Sequence, residues 1–426
     1  MALAPTATPD SDAQGINAPD LQVFVFALFF TFGGITSLND VIIPKLKELF
    51  TLNNFEASLV QVWFFLAYAI IGIPGAKLVK RIGYMRGAVA GLLTMIVGCL
   101  LFIPASKTAT FSVFLLAYFV LASGVVLVQV VANPLISLLG PPRTAPSRLT
   151  FAQAFNSLGT TIFPYFGAIL ILGSLATVSA GQLSGPRLDA YRTAETQAIV
   201  TGYLGIAAAL ALVALAVWLF RNRVKGEQHE ASSLVQGLAL LQRPRFGFGA
   251  LCIFLYVGAE VAVGSFLVGN LMLPESLGAS QQDAGKLIPI YWGLAMLGRF
   301  AGSAVLRVVS PAWVLAFNAL GAGALILVSI ATTGTVSGYA LLGVGLMNSI
   351  MFPVIFTLAS EGLGKRAADG SGIINVAIVG GAVVPALYGW MADQSGLRAA
   401  LILPVLCYAV IAAYGLFARR PVAALA

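Results

Sequence analysis

Charge is what this chain has least of. Asp, Glu, Lys and Arg make up 9% of its 426 residues, against about 25% in an ordinary soluble domain, which excludes a soluble enzyme. Histidine is scarcer still. His229 stands alone in the most polar connection of the chain, so a histidine proton relay or a His-based zinc centre has no residues to work with. The three cysteines, Cys99, Cys252 and Cys407, fall inside apolar stretches without metal-ligand spacing; they read as small core residues, not as a disulfide framework. The phosphate-cradling Gly-x-x-x-x-Gly-Lys-Ser/Thr loop is missing, as are His-Glu-x-x-His and Gly-x-Ser-x-Gly. No enzymatic constellation and no cofactor is implied.

What the chain has in abundance is apolar sequence. Hydrophobic residues form 59% of it, and a bilayer-spanning helix needs about 20 of them in succession, so twelve spans would use about 240 residues. Runs bounded by charge or turn residues give twelve candidates: 22–43, 58–78, 87–104, 111–138, 150–173, 199–220, 246–270, 287–306, 311–332, 335–359, 371–392 and 397–418. The reading is an all-α membrane protein of twelve transmembrane helices in two pseudo-symmetric six-helix bundles, 22–220 and 246–418. Residues 221–245 form the linker between them, residues 1–21 a disordered tail and 419–426 a second tail. The first twenty residues hold no Lys or Arg and no apolar core, so they are not a signal peptide.

Lys and Arg outnumber Asp and Glu by 24 to 16, yet they sit in loops and not in a stripe, so nucleic acid is not the partner. The loops divide unevenly. Sixteen basic residues fall on the connections that share a side with the N-terminus and seven on the others; the positive-inside rule therefore puts both termini in the cytoplasm. The expected surroundings are lipid, and the chain is expected to act as a monomer.

A weak internal repeat relates the halves. Gln129 and Pro134 in span 4 have the spacing of Asn348 and Pro353 in span 10; Gly159 and Pro164 in span 5 match Gly380 and Pro385 in span 11; Gly75 and Lys80 match Gly302 and Arg307. Three matches in the same order point to a duplicated six-helix unit, an architecture that places its site between the repeats.

Ionisable side chains within a bilayer cost at least ~2.5 kcal/mol each by insertion scales, so each asks for a role. Apart from span ends there are three: Asp40, in the polar cluster Thr36-Ser37-Leu38-Asn39-Asp40 late in span 1; Glu260, in the middle of span 7; and Arg299, in span 8. A carboxyl group in such a place is either protonated or paired with a cation. Both carboxyls are thus candidates for coupling a cation, or else plain interhelical bonds. Arg299 reads as a salt-bridging or gating residue, and Lys80 and Arg81 after span 2 as gating or orientation charges.

Uncharged amides gather on other spans: Gln129 and Asn133, Gln153 and Asn156, Asn348, and Asn375. An amide both donates and accepts, which suits the hydroxyls of a sugar; the alternative is a bond from helix to helix. Tyr256 and Trp292 are the aromatic residues nearest these positions and could stack on the apolar face of a pyranose ring.

Several segments together resemble the fucose:proton symporter family of the major facilitator superfamily, most closely its glucose/galactose transporter branch. They are Thr36 to Pro44, Gln129-Val130-Val131-Ala132-Asn133-Pro134, Phe151 to Gly159, Tyr256-Val257-Gly258-Ala259-Glu260, and Ser349 to Glu361. The resemblance covers nearly the whole chain and implies the major facilitator fold, alternating access between two bundles, and monosaccharide uptake coupled to H+ or Na+. By the resemblance Asp40 matches the proton-linked carboxylate of span 1. The family's second carboxylate, in span 4, falls on Gln129, whereas Glu260 stands where fucose permease has Gln. This Gln and Glu pattern is that of the glucose/galactose branch. Thr36 and Ser37 replace an asparagine pair, a departure from a fucose site, and Asn156 matches a substrate-contact position with Gln153 one turn away. Lys80 shows the branch's basic residue where the wider superfamily has Asp.

The expectation is a symporter for a hexose such as glucose, galactose, mannose or fucose, with the proton preferred over sodium. Asp40 and Glu260 would couple the cation. The sugar would meet Thr36, Ser37, Asn39, the amides of both bundles, Tyr256 and Trp292. A superfamily exporter of another small solute is the competing reading.

Overall fold

The structure is a computed structural model that describes residues 19–37, 46, 49–50, 54–108, 110–167, 184–222 and 238–420. Among the described residues regular structure is helical, without strands. The first six helices are α1 (Pro19–Ser37), α2 (Asn54–Ile82), α3 (Tyr84–Thr108), α4 (Phe111–Leu138), α5 (Ala145–Gly167) and α6 (Pro186–Leu219). The second six are α7 (Pro244–Met272), α8 (Gln281–Val305), α9 (Pro311–Ala331), α10 (Gly334–Asn348 and Met351–Ser360), α11 (Ala367–Ala377 and Gly380–Ser395) and α12 (Leu397–Ala400 and Ile402–Phe417). Nine of these spans are long and apolar enough to cross a membrane, and Leu21–Ser37 is a shorter apolar helix. The two that remain, α5 and α8, are more polar, and Gln153, Asn156 and Arg299 are among their polar residues.

Within each half the helices pack in corresponding pairs: α1 on α5 and α2 on α4, then α7 on α11 and α8 on α10. The repeated glycines explain the crossings. A Cβ on Gly159 of α5 would lie 2.2 Å from the Phe30 carbonyl oxygen of α1, and one on Gly380 of α11 would lie 2.0 Å from the Phe254 carbonyl oxygen of α7. Only glycine lets two backbones come so close, the small-residue contact that drives helix association where lipid offers no hydrophobic incentive. Gly159→Ala and Gly380→Ala are each expected to cost about 1–3 kcal/mol by overpacking. Gly285→Ala, with nothing within 4 Å of its new Cβ, is expected to be neutral. Thermal unfolding of the three purified variants checks this.

The helix bounds depart from the apolar runs where polar sequence stays helical. α6 starts at Pro186, not near 199, because charge ended the apolar run but not the helix. Its first turns are fastened instead by Arg192, whose Nε donates to the Leu49 carbonyl at 2.9 Å and whose guanidinium lies 5.8 Å from the Phe50 ring centre. α11 starts at Ala367 and is interrupted between Ala377 and Gly380. α10 is interrupted at Ser349 and Ile350, because Pro353 has no N–H to offer the Ser349 carbonyl. The expected tail and tight loops fall partly outside the described residues, as do His229 and most of the connection between the halves. Cys99, Cys252 and Cys407 are free and buried.

The end at which α2, α8 and α10 finish and α3, α5 and α11 begin gathers Lys80, Arg81, Arg86, Arg143, Arg307 and Arg366; it is the basic end hereafter. The two halves meet through α2 with α11 and α5 with α8, with polar and close-packed contacts between these helices toward that end. Lys80 Nζ donates to Asp369 Oδ2 at 2.7 Å, both side chains being less than a tenth exposed. Ser147 Oγ of α5 donates to the Ser303 carbonyl of α8 at 2.6 Å, Phe151 and Phe300 pack edge to face with ring centres 6.0 Å apart, and a Cβ on Gly372 would lie 2.7 Å from the Gly72 carbonyl oxygen.

Candidate functional site

Glu260 sits four residues after Tyr256 on α7, one turn along the same face, and Tyr256 Oη is 2.7 Å from Glu260 Oε1. The carboxyl side chain is 15% exposed and Arg299 of α8 is 12% exposed, with Arg299 Nη2 3.9 Å from Glu260 Oε1. At that separation the guanidinium faces the carboxyl group without a hydrogen bond to it. Arg299 spends its other donors elsewhere: Nε on the Ser349 carbonyl at 3.1 Å and Nη1 on the Ser157 hydroxyl of α5, in the opposite half. The three ionisable residues expected inside the bilayer thus resolve into one described pair, Glu260 and Arg299. Asn39 and Asp40 lie outside the described residues.

The amides divide by exposure. Asn348 is fully buried and donates to Tyr291 Oη at 2.9 Å; Gln129 donates to Tyr68 Oη at 2.9 Å. These are corresponding bonds of the repeat, an amide of α4 to a tyrosine of α2 and an amide of α10 to a tyrosine of α8. Asn375 is buried on Ser371 of its own helix, at 2.8 Å from its carbonyl, and Asn133 is 1% exposed. Asn156 and Trp292 keep exposed surface: Asn156 Nδ2 reaches the Phe29 carbonyl at 3.4 Å, and Trp292 packs edge to face on Tyr291, ring centres 5.1 Å apart. Gln153 is 8% exposed, one turn before Ser157. Thr36 and Ser37 turn their hydroxyls onto their own helix, at 2.8 Å from the Gly33 and Gly34 carbonyls.

Sequence reasoning brought Glu260, Tyr256, Arg299 and Asn348 forward, and the structure brings all four together. It missed Tyr291, Ser157 and Asp369. Tyr291 adjoins Trp292 and carried no pattern of its own. Asp369 falls just before the apolar run of span 11, although the surrounding Ala367-Ala368-Asp369-Gly370-Ser371-Gly372 is the small-residue composition of a close crossing. Arg81, grouped with Lys80, is exposed at the helix end. Among the described residues no group of three His, Cys, Asp or Glu side chains could hold a metal ion.

Two helical halves meeting around buried polar groups on α7, α8 and α10 are the architecture of a polytopic membrane transporter. The chain belongs to the Major Facilitator Superfamily, whose family model matches residues 24–384. It is 47% identical over 393 residues to the glucose/galactose transporter of Brucella abortus, with 92% of each chain covered. It is 33% identical over 402 residues to the L-fucose-proton symporter of Escherichia coli, covering 92% of this chain and 91% of that one. Among solved structures it resembles the superfamily transporter FucP in the outward conformation, with a TM-score of 0.86 and 32% identity over 94% of this chain and 99% of that one.

Proposed function

We propose that this transporter takes up a hexose, glucose or galactose before others, by proton symport through alternating access. The observation that carries the proposal is Glu260: a carboxyl group deep among apolar helices, opposed by one guanidinium at 3.9 Å, in a chain 47% identical to a glucose/galactose transporter. A carboxyl so placed changes its charge at a cost that solute movement must meet. Its neighbours are a phenol and a guanidinium, not the several hard oxygens that a sodium ion needs in place of its hydration shell, which favours the proton. Asp40 is proposed as the second coupling carboxyl. Asn156, Gln153 and Trp292 are the better candidates for sugar contact, since Asn133, Asn348 and Asn375 are taken up in packing. The proposed setting is a bacterial inner membrane with the basic end and both termini cytoplasmic, so that closure at that end makes this an outward-facing arrangement.

The test is counterflow in proteoliposomes with a panel of labelled monosaccharides, with and without Na+ at two pH values. Hexose exchange, and accumulation driven by an inward proton gradient in the absence of Na+, are the expected results. Absence of exchange with every monosaccharide would remove the sugar reading; accumulation only in the presence of Na+ would remove the proton.

A further inference from the structure

The break in α10 leaves a carbonyl to be met from outside the helix. Residue 353 is proline, so the Ser349 carbonyl has no N–H four residues on, and Arg299 Nε supplies the missing donor at 3.1 Å. Beside it, the Asn348 carbonyl lies 3.1 Å from Tyr256 Oη. The two side chains that tend the break are the same two that face Glu260.

Counting protons at Tyr256 shows what this does. Its hydroxyl has one hydrogen and two oxygen neighbours, Glu260 Oε1 at 2.7 Å and the Asn348 carbonyl at 3.1 Å. If Glu260 is ionised, both neighbours are acceptors and one contact goes unmet. If Glu260 carries a proton, it donates to Tyr256 and Tyr256 donates to Asn348, so both are met. Arg299 tells the same story. Its Nη2 stands 3.9 Å from Glu260 Oε1, too far for a hydrogen bond, while Nε and Nη1 are engaged on Ser349 and, across the two halves, on Ser157. This is the arrangement of a neutral carboxyl; an ionised one would draw the guanidinium in and away from both.

We propose that Tyr256 and Arg299 are positioning residues that tie the proton occupancy of Glu260 to the α10 break and, through Ser157, to closure of the basic end. With the proton bound, Arg299 stays on Ser157 and the halves remain joined there. With the proton released, Glu260 competes for Arg299 and for the Tyr256 hydroxyl, and the α5 to α8 contact loosens. A proton alone thus tightens the basic end and does not cross, which is what separates symport from a leak. Among the described residues, the other titratable side chains that sense Glu260 electrostatically are Tyr291 on α8 and Tyr408 on α12, both fully buried. The inference rests on the proton symport reading above.

The test reads closure directly. Leu138 and Val308 are 36% and 85% exposed, on opposite halves at the basic end, so spin labels on Leu138→Cys and Val308→Cys report the distance between them. The three native thiols are buried and leave the label to the new sites. In sugar-free proteoliposomes the closed fraction of the otherwise unchanged chain is expected to fall as pH rises, as Glu260 loses its proton. Glu260→Gln is expected to stay closed at every pH. Ser157→Ala should lower the closed fraction at acidic pH. Tyr256→Phe should shift the pH midpoint of closure, since the hydroxyl bonds the protonated and the ionised carboxyl differently; a hydroxyl with only a packing role would change closure equally at all pH values. A Glu260→Gln chain that opens with pH as the parent does, or an unmoved midpoint in Tyr256→Phe, overturns the proposal. Gradient-driven hexose accumulation measured on the same vesicles keeps the two readings apart: accumulation with no Glu260-dependent opening sinks this inference alone, and Glu260-dependent opening without accumulation sinks the sugar symport.

Discussion

Glu260→Gln is expected to abolish gradient-driven accumulation while leaving sugar exchange intact. Glutamine keeps the shape of the side chain and an oxygen for Tyr256, but it can neither take up nor release a proton. One proton entering down a potential of 100 mV supplies about 2.3 kcal/mol, which sustains roughly 50-fold accumulation of a neutral solute, since each 1.4 kcal/mol is tenfold. That whole factor is at stake, with counterflow of labelled hexose as the internal control. Asp40→Asn, measured alongside, apportions the role. A variant that keeps full accumulation shows that the carboxyl it lost is not the coupling group, and full accumulation in both would end the proposal of carboxyl coupling.

The second large effect concerns the basic end. Lys80 and Asp369 join α2 to α11 at 2.7 Å with side chains 7% and 6% exposed. Attraction between charges so enclosed is little screened by water, and deleting one partner of a buried pair costs about 3–5 kcal/mol because the other charge stays behind. Here the molecule has an escape: opening the basic end returns Lys80 to water. Asp369→Asn is therefore expected to shift the closed-to-open balance by a factor on the order of 100, taking the lower figure. The change would appear as new reactivity of a cysteine placed on the facing surface at Ala76. Lys80→Met added to Asp369→Asn removes the buried ammonium as well and should restore much of the closure. Unchanged labelling in Asp369→Asn would show that glycine contacts and the α5 to α8 bonds hold the end without the ion pair.

Much of the fold was legible because lipid imposes a simple rule on sequence: apolar runs of about 20 residues have few ways to be satisfied except as helices. The rule fails where polar sequence continues a helix. The start of α6 at Pro186 and of α11 at Ala367 were invisible to a search for hydrophobicity, since Arg192 and Asp369 read as loop charges until their partners were known. The repeat was legible from glycine and proline spacing, and Gly159 and Gly380 turned out to hold equivalent crossings. The site was legible by type and not by pairing. A carboxyl in mid-span announces itself, but that Asn348 would bond Tyr291, while Asn156 keeps exposed surface, depends on which way each helix is turned, and an amide looks the same in either place.

The glycine crossings have a mechanical consequence. Where Gly159 rides on the Phe30 carbonyl and Gly380 on the Phe254 carbonyl, main chain rests on main chain with no side chain between them to change rotamer. Such a joint has little room to slide or roll by small steps, so α1 with α5, and α7 with the part of α11 that begins at Gly380, are expected to travel as stiff pairs. Whatever bending the transport cycle requires must then be taken up by other members of each half, and α10, already parted above Pro353, is built to yield first.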